Sequence, residues 1–550
     1  MPLSFNLVDE PWLPVVWLDG RAGEVGLRDA LVRAREIREL VDGSPLVTVS
    51  LHRLLLAILH RNFGPETFAD WKDLWRAGQW EARTLDAYFS AWRHRFDLFD
   101  AERPFYQVAQ HDDGAKLHPP ALLAQELASG NNATVFDHSF SDRPVPIRLA
   151  EAARLLVARQ AYSVGGGVGR PFNLSHAPLT VGFTVLALGE SLFQTLALNL
   201  TQYGDGHPVR PSLDDAPVWE QTPPTIATEK DKDGVWPRGP LDYLTWQSRR
   251  IKLYASGDPP MVTGCQLGQN LKVHDETFDP FKSYAKSKDQ GWVPRKLDPD
   301  RAIWRDSSAI FQQTDDGSRR AEVFNWLARV DEALDGGEIE AQRAYPLSVL
   351  GLGREPTAKA ADISIWRHER FTVPLAYLHV SELLGRLERA LRLAEDVGRL
   401  LKPGTTEITT ADRASGKPKQ VKVPRPFQLL AEAMLPTIGG KPDRKKVDAL
   451  IDHLAPERRY WSRLEVPFRT LLIDLPNDHD RESDAYGARM LPAWAETLQR
   501  TARAAFEEAT SGMDQSARSL QAVARAQREL SLRLHATLGE HLALRKGVTV

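Results

Sequence analysis

The chain has 550 residues, and its 70 Lys and Arg against 73 Asp and Glu leave a formal charge of −3 at 26% charged residues. That balance excludes a stand-alone basic nucleic-acid binder, and 42% hydrophobic content excludes a disordered chain and supplies a sizeable core. No run reaches the roughly 18 apolar residues of a membrane span, the start at Met1-Pro2-Leu3-Ser4 lacks a secretory pattern, and the single cysteine, Cys265, excludes an intrachain disulfide or a multi-thiolate metal site. The expectation is a reduced, cytoplasmic protein with no membrane partner.

Residues 5–8 and 13–17 read as two short strands around Pro11, followed by a turn at Asp19-Gly20. Helical periodicity covers about 26–36, 45–62 and 84–95, with Leu51, Leu54, Leu55 and Ile58 on one face of the second. His111-Asp112-Asp113 with His118 has neither the His-x-x-x-His nor the calcium-loop spacing, so solvated loops are the expectation there. Residues 130–143 form a polar loop carrying Phe136 and Phe140. Its Asp137-His138-Ser139 cannot act as a triad, because consecutive residues do not let one imidazole reach both partners.

An apolar helical segment at Leu155-Leu156-Val157-Ala158 precedes the densest glycine run, Gly165-Gly166-Gly167-Val168-Gly169-Arg170. The run lacks the Gly-Lys-Ser/Thr ending of a phosphate loop and the strand before a dinucleotide loop, which leaves a flexible turn or a close backbone contact. Beyond about 215, Pro217, Pro223, Pro224, Pro237 and Pro240 break any long helix, and Tyr243-Leu244-Thr245-Trp246 leads into the alternating Ile251-Lys252-Leu253-Tyr254. Lys282, Lys286 and Lys288 cluster around Tyr284.

From about 375 the pattern changes to long amphipathic helices. Leu384, Leu387, Leu391, Ala394 and Leu401 keep a three/four spacing; so do Tyr460, Leu464, Phe468, Leu471 and Leu475, then Trp494, Leu498, Ala502, Ala505 and Phe506. Leu530, Leu534, Leu538 and Leu542 repeat every four residues. Four apolar stripes bury most simply against one another. The predicted class is therefore α+β: an irregular mixed N-terminal domain over 1–369 and a C-terminal four-helix bundle over 370–550. Charge divides along the same line, −9 in the first region and +6 in the second, where 402–447 alone holds ten basic and four acidic residues. That stretch reads as a solvated inter-helix loop or as an edge facing phosphates. Asp474, Asp478, His479, Asp480 and Asp484 lack any metal-ligand spacing and read as caps and solvated turns.

Several segments together resemble the CasA family, the large subunit of the type I-E CRISPR surveillance complex Cascade. The opening Phe5-Asn6-Leu7-Val8-Asp9-Glu10-Pro11-Trp12-Leu13-Pro14-Val15 is the most specific, followed in order by Arg103-Pro104-Phe105-Tyr106-Gln107, Phe136-Asp137-His138, the glycine run after Gln160-Ala161, Thr245-Trp246-Gln247-Ser248-Arg249-Arg250 and Trp366-Arg367-His368-Glu369. The resemblance implies a non-catalytic subunit without cofactor or metal. Its implied partners are other Cascade subunits, CRISPR guide RNA, target double-stranded DNA and a separate helicase-nuclease, and its implied task is recognition of a protospacer-adjacent motif and the start of strand separation.

By motif, Val135, Phe136 and Asp137 would contact the guide RNA handle. Gly166, flanked by Gly165 and Gly167, would bring backbone to the minor groove, where a side chain would hold it off. One of Lys282, Lys286 and Lys288 would add a groove contact. A wedge hairpin is implied at 353–362 with its tip at Lys359, Ala360 and Ala361; the family's tip glutamine is absent, so either Lys359 takes the role or the register shifts by a residue or two. From charge rather than resemblance, Lys417, Lys419, Lys422, Lys445 and Lys446 are candidates for phosphate contacts. The competing reading is a metal-dependent nuclease or hydrolase built on the acidic and His-containing loops.

Overall fold

The computed structural model describes residues 3–111, 115–124, 145–165, 176–204, 207–222, 234–296, 298, 301–314, 317–353, 365–411, 418–435, 443–479 and 484–546. The chain divides into two compact units, Met1–Leu378 and His379–Val550. Strand Ile365–Pro374 stays with the first because all ten of its residues pair with Ala344–Gly353.

The first unit mixes helices with small antiparallel sheets. Leu13–Trp17 is the centre of one, between Ala22–Val25 and Ile37–Leu40. The strand expected over 5–8 does not form, because the Asn6 side chain takes over the local bonding: its Nδ2 donates to the Arg93 carbonyl and its Oδ1 accepts from the Val8 N–H. Helix Pro45–Phe63 starts on a Ser44 cap with proline in its first turn and buries nearly every residue from Leu46 to His60. Helix Phe68–Ala77 is not evident from periodicity; a Thr67/Asp70 capping box starts it and left-handed Gly78 ends it.

Charge inside this unit is wired to backbone. Arg53 is buried, lies 3.0 Å from the Asp279 carboxylate and donates to the carbonyls of Tyr243 and Leu244. Arg154 likewise reaches the Trp12 carbonyl, Glu24 and Asp42. Such groups tolerate burial because partners meet every charge; removing one partner strands the other.

The second unit carries four long helices, Ser381–Leu401, Pro456–His479, Asp484–Thr510 and Ala517–Lys546, with two shorter ones, Pro426–Met434 and Arg444–Leu454. Leu387, Ala394, Leu464, Phe468, Leu498, Ala502, Leu534 and Leu538 are fully buried, so the stripes read from the sequence face inward. The Tyr460 hydroxyl donates to the Ala394 carbonyl and the Trp494 indole to that of Ala390, and a Cβ on Gly398 would lie 2.6 Å from the Trp461 ring. The basic stretch is neither a plain loop nor continuous helix: Thr405–Ala411 and Pro418–Pro424 pair as a two-stranded hairpin. No helix among the described residues is long and apolar enough to cross a membrane.

Candidate nucleic-acid interface

The glycine run leaves helix Leu149–Tyr162 through a neck whose two sides are bonded together. The Ala177 N–H donates to the Ser163 carbonyl at 2.7 Å, Leu179 N–H to Ala161 at 2.9 Å, and Gly165 N–H to His176 Nδ1 at 3.0 Å. Below it, the buried Gln160 amide donates to the carbonyls of Tyr106 and Arg249 and accepts from the Arg249 N–H, while the Arg249 guanidinium reaches the Val164 carbonyl. Three segments remote in sequence, 103–107, 160–165 and 245–250, thus meet at one point. Arg249 lies buried there and Arg159 half-buried, their guanidinium pKa values pushed down to about 9 and about 10, in each case chiefly by burial. Gly165 sits at the neck; Gly166 and Gly167 lie outside the described residues.

The flanks of the loop carrying Val135, Phe136 and Asp137 both end on one strand. His118 bridges Cys265, and Ile147 pairs with Val262, both on Met261–Gln269. The three loop residues themselves, and the Asp137-His138-Ser139 stretch, lie outside the described residues. His111 is not arranged as a ligand: its ring packs 3.0 Å from where a Cβ on Gly268 would stand and bonds the Arg250 carbonyl.

The lysine cluster separates into two kinds. Lys282 departs from the expected groove-facing role: it is 3% exposed, and its ammonium donates to the Pro178 and Val181 carbonyls at 2.5 and 2.6 Å. Burial lowers its pKa to about 8. It is an internal strut that ties the chain leaving the glycine run to the next hairpin. Gly182 sits beside it at φ +85°, where a Cβ would stand 2.8 Å from the Pro294 side chain. Lys286 and Lys288 are exposed on the hairpin Tyr284–Ser287/Gly291–Pro294, with Lys286 6.0 Å from the centre of the Trp292 ring. Nothing in the sequence pattern separates the three lysines except the aromatic flank Phe281-Lys282.

Past Gly182 the chain forms Phe183–Ala187, which pairs with Ala344–Gly353, itself paired with Ile365–Pro374. The register runs to Gly353 opposite Ile365, so residues 354–364 connect a hairpin, and this connection is where the wedge is expected. Gly351 opposes Phe183, which puts that end of the hairpin beside the Gly182 turn. Lys359, Ala360 and Ala361 lie outside the described residues. At the hairpin's base, Glu369 accepts from the N–H groups of Ile303 and Trp304, and His368 Nε2 lies 2.8 Å from the Ser348 hydroxyl.

In the second unit, Lys422 is exposed and lies 3.6 Å from Glu407 across the hairpin. Arg444, Lys445 and Lys446 occupy the first exposed turn of a helix, where the macrodipole disfavours cations. Arg425 instead anchors the hairpin through the Pro403 carbonyl and the Thr406 hydroxyl. Lys417 and the Lys419 side chain lie outside the described residues.

Fold and site together define a two-unit α+β protein in which a glycine neck, a lysine hairpin and a second hairpin spring from one bonded framework. The chain belongs to the family described as CRISPR-associated protein Cse1, which matches residues 6–505. A relative from Thermus thermophilus, CRISPR-associated protein CasA/Cse1, is 31% identical over 552 residues, covering 98% of this chain and 99% of its own. The crystal structure of Thermus thermophilus CasA superposes with a TM-score of 0.76 at 28% identity, over 97% of this chain and all of that one. A chain of a CRISPR RNA-guided surveillance complex shares the fold, with TM-score 0.68 and 22% identity over 96% of this chain and 100% of its own.

Proposed function

We propose that the chain is the non-catalytic large subunit of a type I-E Cascade complex, which reads the protospacer-adjacent motif in duplex DNA, starts strand separation and recruits the helicase-nuclease. Family membership and the fold shared with a chain of an RNA-guided surveillance complex support the subunit role. The observation that carries the motif-reading role is the bonded neck beneath the glycine run. A minor-groove reader without side chains needs backbone presented rigidly from below, because a floppy loop would lose its contact energy to ordering entropy. In this reading Gly166 meets the groove, Val135, Phe136 and Asp137 meet the guide RNA, and the wedge expected over 353–362 parts the strands, a step that costs a few kcal/mol of unstacking. Lys286 or Lys288 supplies the further groove cation, since both are exposed. The four long helices of the second unit act as the family's four-helix bundle, with Lys422, Lys445 and Lys446 facing phosphates beside Lys417 and Lys419.

The test is Gly166→Asp. A carboxylate at the groove floor repels phosphate and holds the backbone away, so a guide-loaded complex carrying this variant should lose motif-dependent duplex binding by about 100-fold or more while the subunit still assembles. Wild-type affinity for motif-bearing duplex in that variant would overturn the reading.

A further inference from the structure

In the first unit a cavity of about 790 Å³ opens against the lysine hairpin, and none of its lining residues has a part in the roles above. Its most open wall is Trp236, which is 56% exposed. That side chain stands on pinned backbone. The Val235 N–H donates to the Lys272 carbonyl at 2.8 Å and the His274 N–H to the Val235 carbonyl at 2.9 Å, while Gly234 turns at φ +86°, where a Cβ would lie 2.6 Å from the Val273 carbonyl oxygen. The His274 ring stacks on the indole at 3.8 Å between centres and is itself held by the Glu276 N–H, which donates to its Nδ1. An apolar ring kept in water on so fixed a support is prepared for a partner, because little ordering is left to be done when one arrives.

Trp292, half-buried on the hairpin, makes a second aromatic wall with Phe278, whose ring meets it edge-on at 6.4 Å. Pro208 and Pro237 add to the apolar lining. The indole N–H groups of Trp12, Trp71 and Trp246 all donate to backbone carbonyls. Those of Trp236 and Trp292 meet no acceptor among the described residues, so two donors face the cavity's solvent.

Charge on the rim narrows the choice of occupant. Arg210 and Glu276 are exposed and form no ion pair among the described residues, while Asp275 is held by Lys272 at 2.6 Å. Two carboxylates against one guanidinium repel a chain of phosphates, which sets the aromatic wall apart from a nucleic-acid platform. A polyproline II segment fits it. Such a helix has no internal hydrogen bonds, so its carbonyls are free to accept, and its proline rings pack on flat aromatic side chains. The volume lies within the range of about 300–1,000 Å³ typical of ligand clefts.

We propose that this cavity is the docking groove for an extended, proline-bearing segment of a protein partner. The proline ring packs on Trp236 and Trp292, the two indole N–H groups donate to the segment's carbonyls, and a lysine or arginine beside the proline pairs with Glu276. Trp236 contributes most, as an exposed indole that becomes buried within an interface. Glu276 selects for the basic residue, and its contribution shrinks as salt rises. Docking here is independent of motif reading, because Gly166, Lys286 and Lys288 take no part in it.

The experiment titrates the full purified chain into a fluorescein-labelled decaproline carrying one terminal arginine, and into a Gly/Ser peptide of the same length and charge, and follows anisotropy. The proline peptide should bind about tenfold or more tightly than the Gly/Ser peptide. Trp236→Ala should remove that preference by weakening proline-peptide binding about tenfold or more, at unchanged melting temperature. Equal binding of the two peptides by the wild-type chain, or a proline-peptide affinity untouched by Trp236→Ala, would overturn the groove. Glu276→Lys keeps the test open should Trp236→Ala lose stability: it should weaken the proline peptide about threefold at low salt and less at high salt, and an unchanged affinity at low salt would overturn the pairing. Labelled octathymidylate probes the other class of occupant. Loss of its binding in Trp236→Ala, with proline-peptide binding intact, would assign the cavity to nucleic acid and overturn the proposal. Gly166→Asp should bind the proline peptide as the wild-type chain does.

Discussion

Lys282 in the first unit and Lys445 in the second both come from lysine-rich stretches, yet one is sealed inside the protein and the other stands in water. Lys282 is 3% exposed with its ammonium bonded to two carbonyls, whereas Lys445 is exposed in the first turn of a helix that its charge does not stabilise. The contrast extends to their surroundings. The first unit buries Arg53, Arg154 and Arg249 against backbone and carboxylates, and holds His52, His60 and His207 in its interior. The described residues of the second bury one arginine, Arg533, and no histidine. Buried charge fixes geometry but offers little to a distant phosphate; exposed charge attracts phosphate and fixes little. In the proposed function, one unit positions and the other attracts.

The largest consequence is the pH sensitivity that the buried histidines give the first unit between pH 7 and 4. Burial lowers the pKa of His52 to about 4, of His60 to about 3, with His207 nearby adding to the shift, and of His207 to about 4. These imidazoles stay neutral in the folded unit while their unfolded counterparts take up protons below about 6.5. Their contribution is therefore whole above pH 6.5 and is lost as pH falls toward 4, with a slope of up to about 4 kcal/mol per pH unit for three protons. Denaturant melts from pH 7 to 4 should show the first unit's transition collapsing well before the second's. Coincident loss in both would break the contrast.

Next is the buried ion pair. Arg53→Leu leaves Asp279 buried without its cation and should destabilise the first unit by about 3–5 kcal/mol. Glu508→Gln, which removes the exposed partner of Arg459 and Arg463, should leave the second unit's melting temperature within error of wild type. Differential scanning calorimetry distinguishes the two transitions.

Exposed cations should show their value in salt dependence. Charge reversal at Lys417, Lys419, Lys422, Lys445 and Lys446 together should weaken DNA binding by the assembled complex about tenfold or more at low salt and flatten the dependence of log K on log salt. Binding unchanged across salt would remove the second unit's attracting role. The smallest effect separates the lysines of the first unit. Lys282→Met should weaken motif-dependent binding a few-fold with the salt slope unchanged, because it loosens the 178–182 turn and leaves the groove cations in place. Lys286→Ala with Lys288→Ala should instead lower the slope. A slope change in Lys282→Met would contradict its role as a strut.

These contrasts also explain how much is readable from sequence. Helical stripes such as Leu464, Phe468 and Leu471 are legible because burial in an α-helix recurs at a fixed period. The hairpin Thr405–Ala411/Pro418–Pro424 is not; its period-two signal, as in Val421-Lys422-Val423, is short and mixed with charge. Helix Phe68–Ala77 escapes periodicity although its Thr67/Asp70 capping box stands in the sequence. The glycine run is visible as a place for close approach, but the bonds that tie the neck before it join Ser163 to Ala177 and Gln160 to Arg249, pairings that no local pattern announces. Lys282 groups with Lys286 and Lys288 in sequence because composition cannot tell a strut from a surface cation.

On the proposed function, motif discrimination in the RNA-guided complex comes from backbone that this chain positions. It is tested most directly by adding the purified chain to a guide-loaded complex that lacks it, and measuring affinity for two duplexes that differ only in the motif. The chain should restore a preference of tenfold or more for the motif-bearing duplex. Equal affinity for both duplexes after the chain has assembled would contradict it.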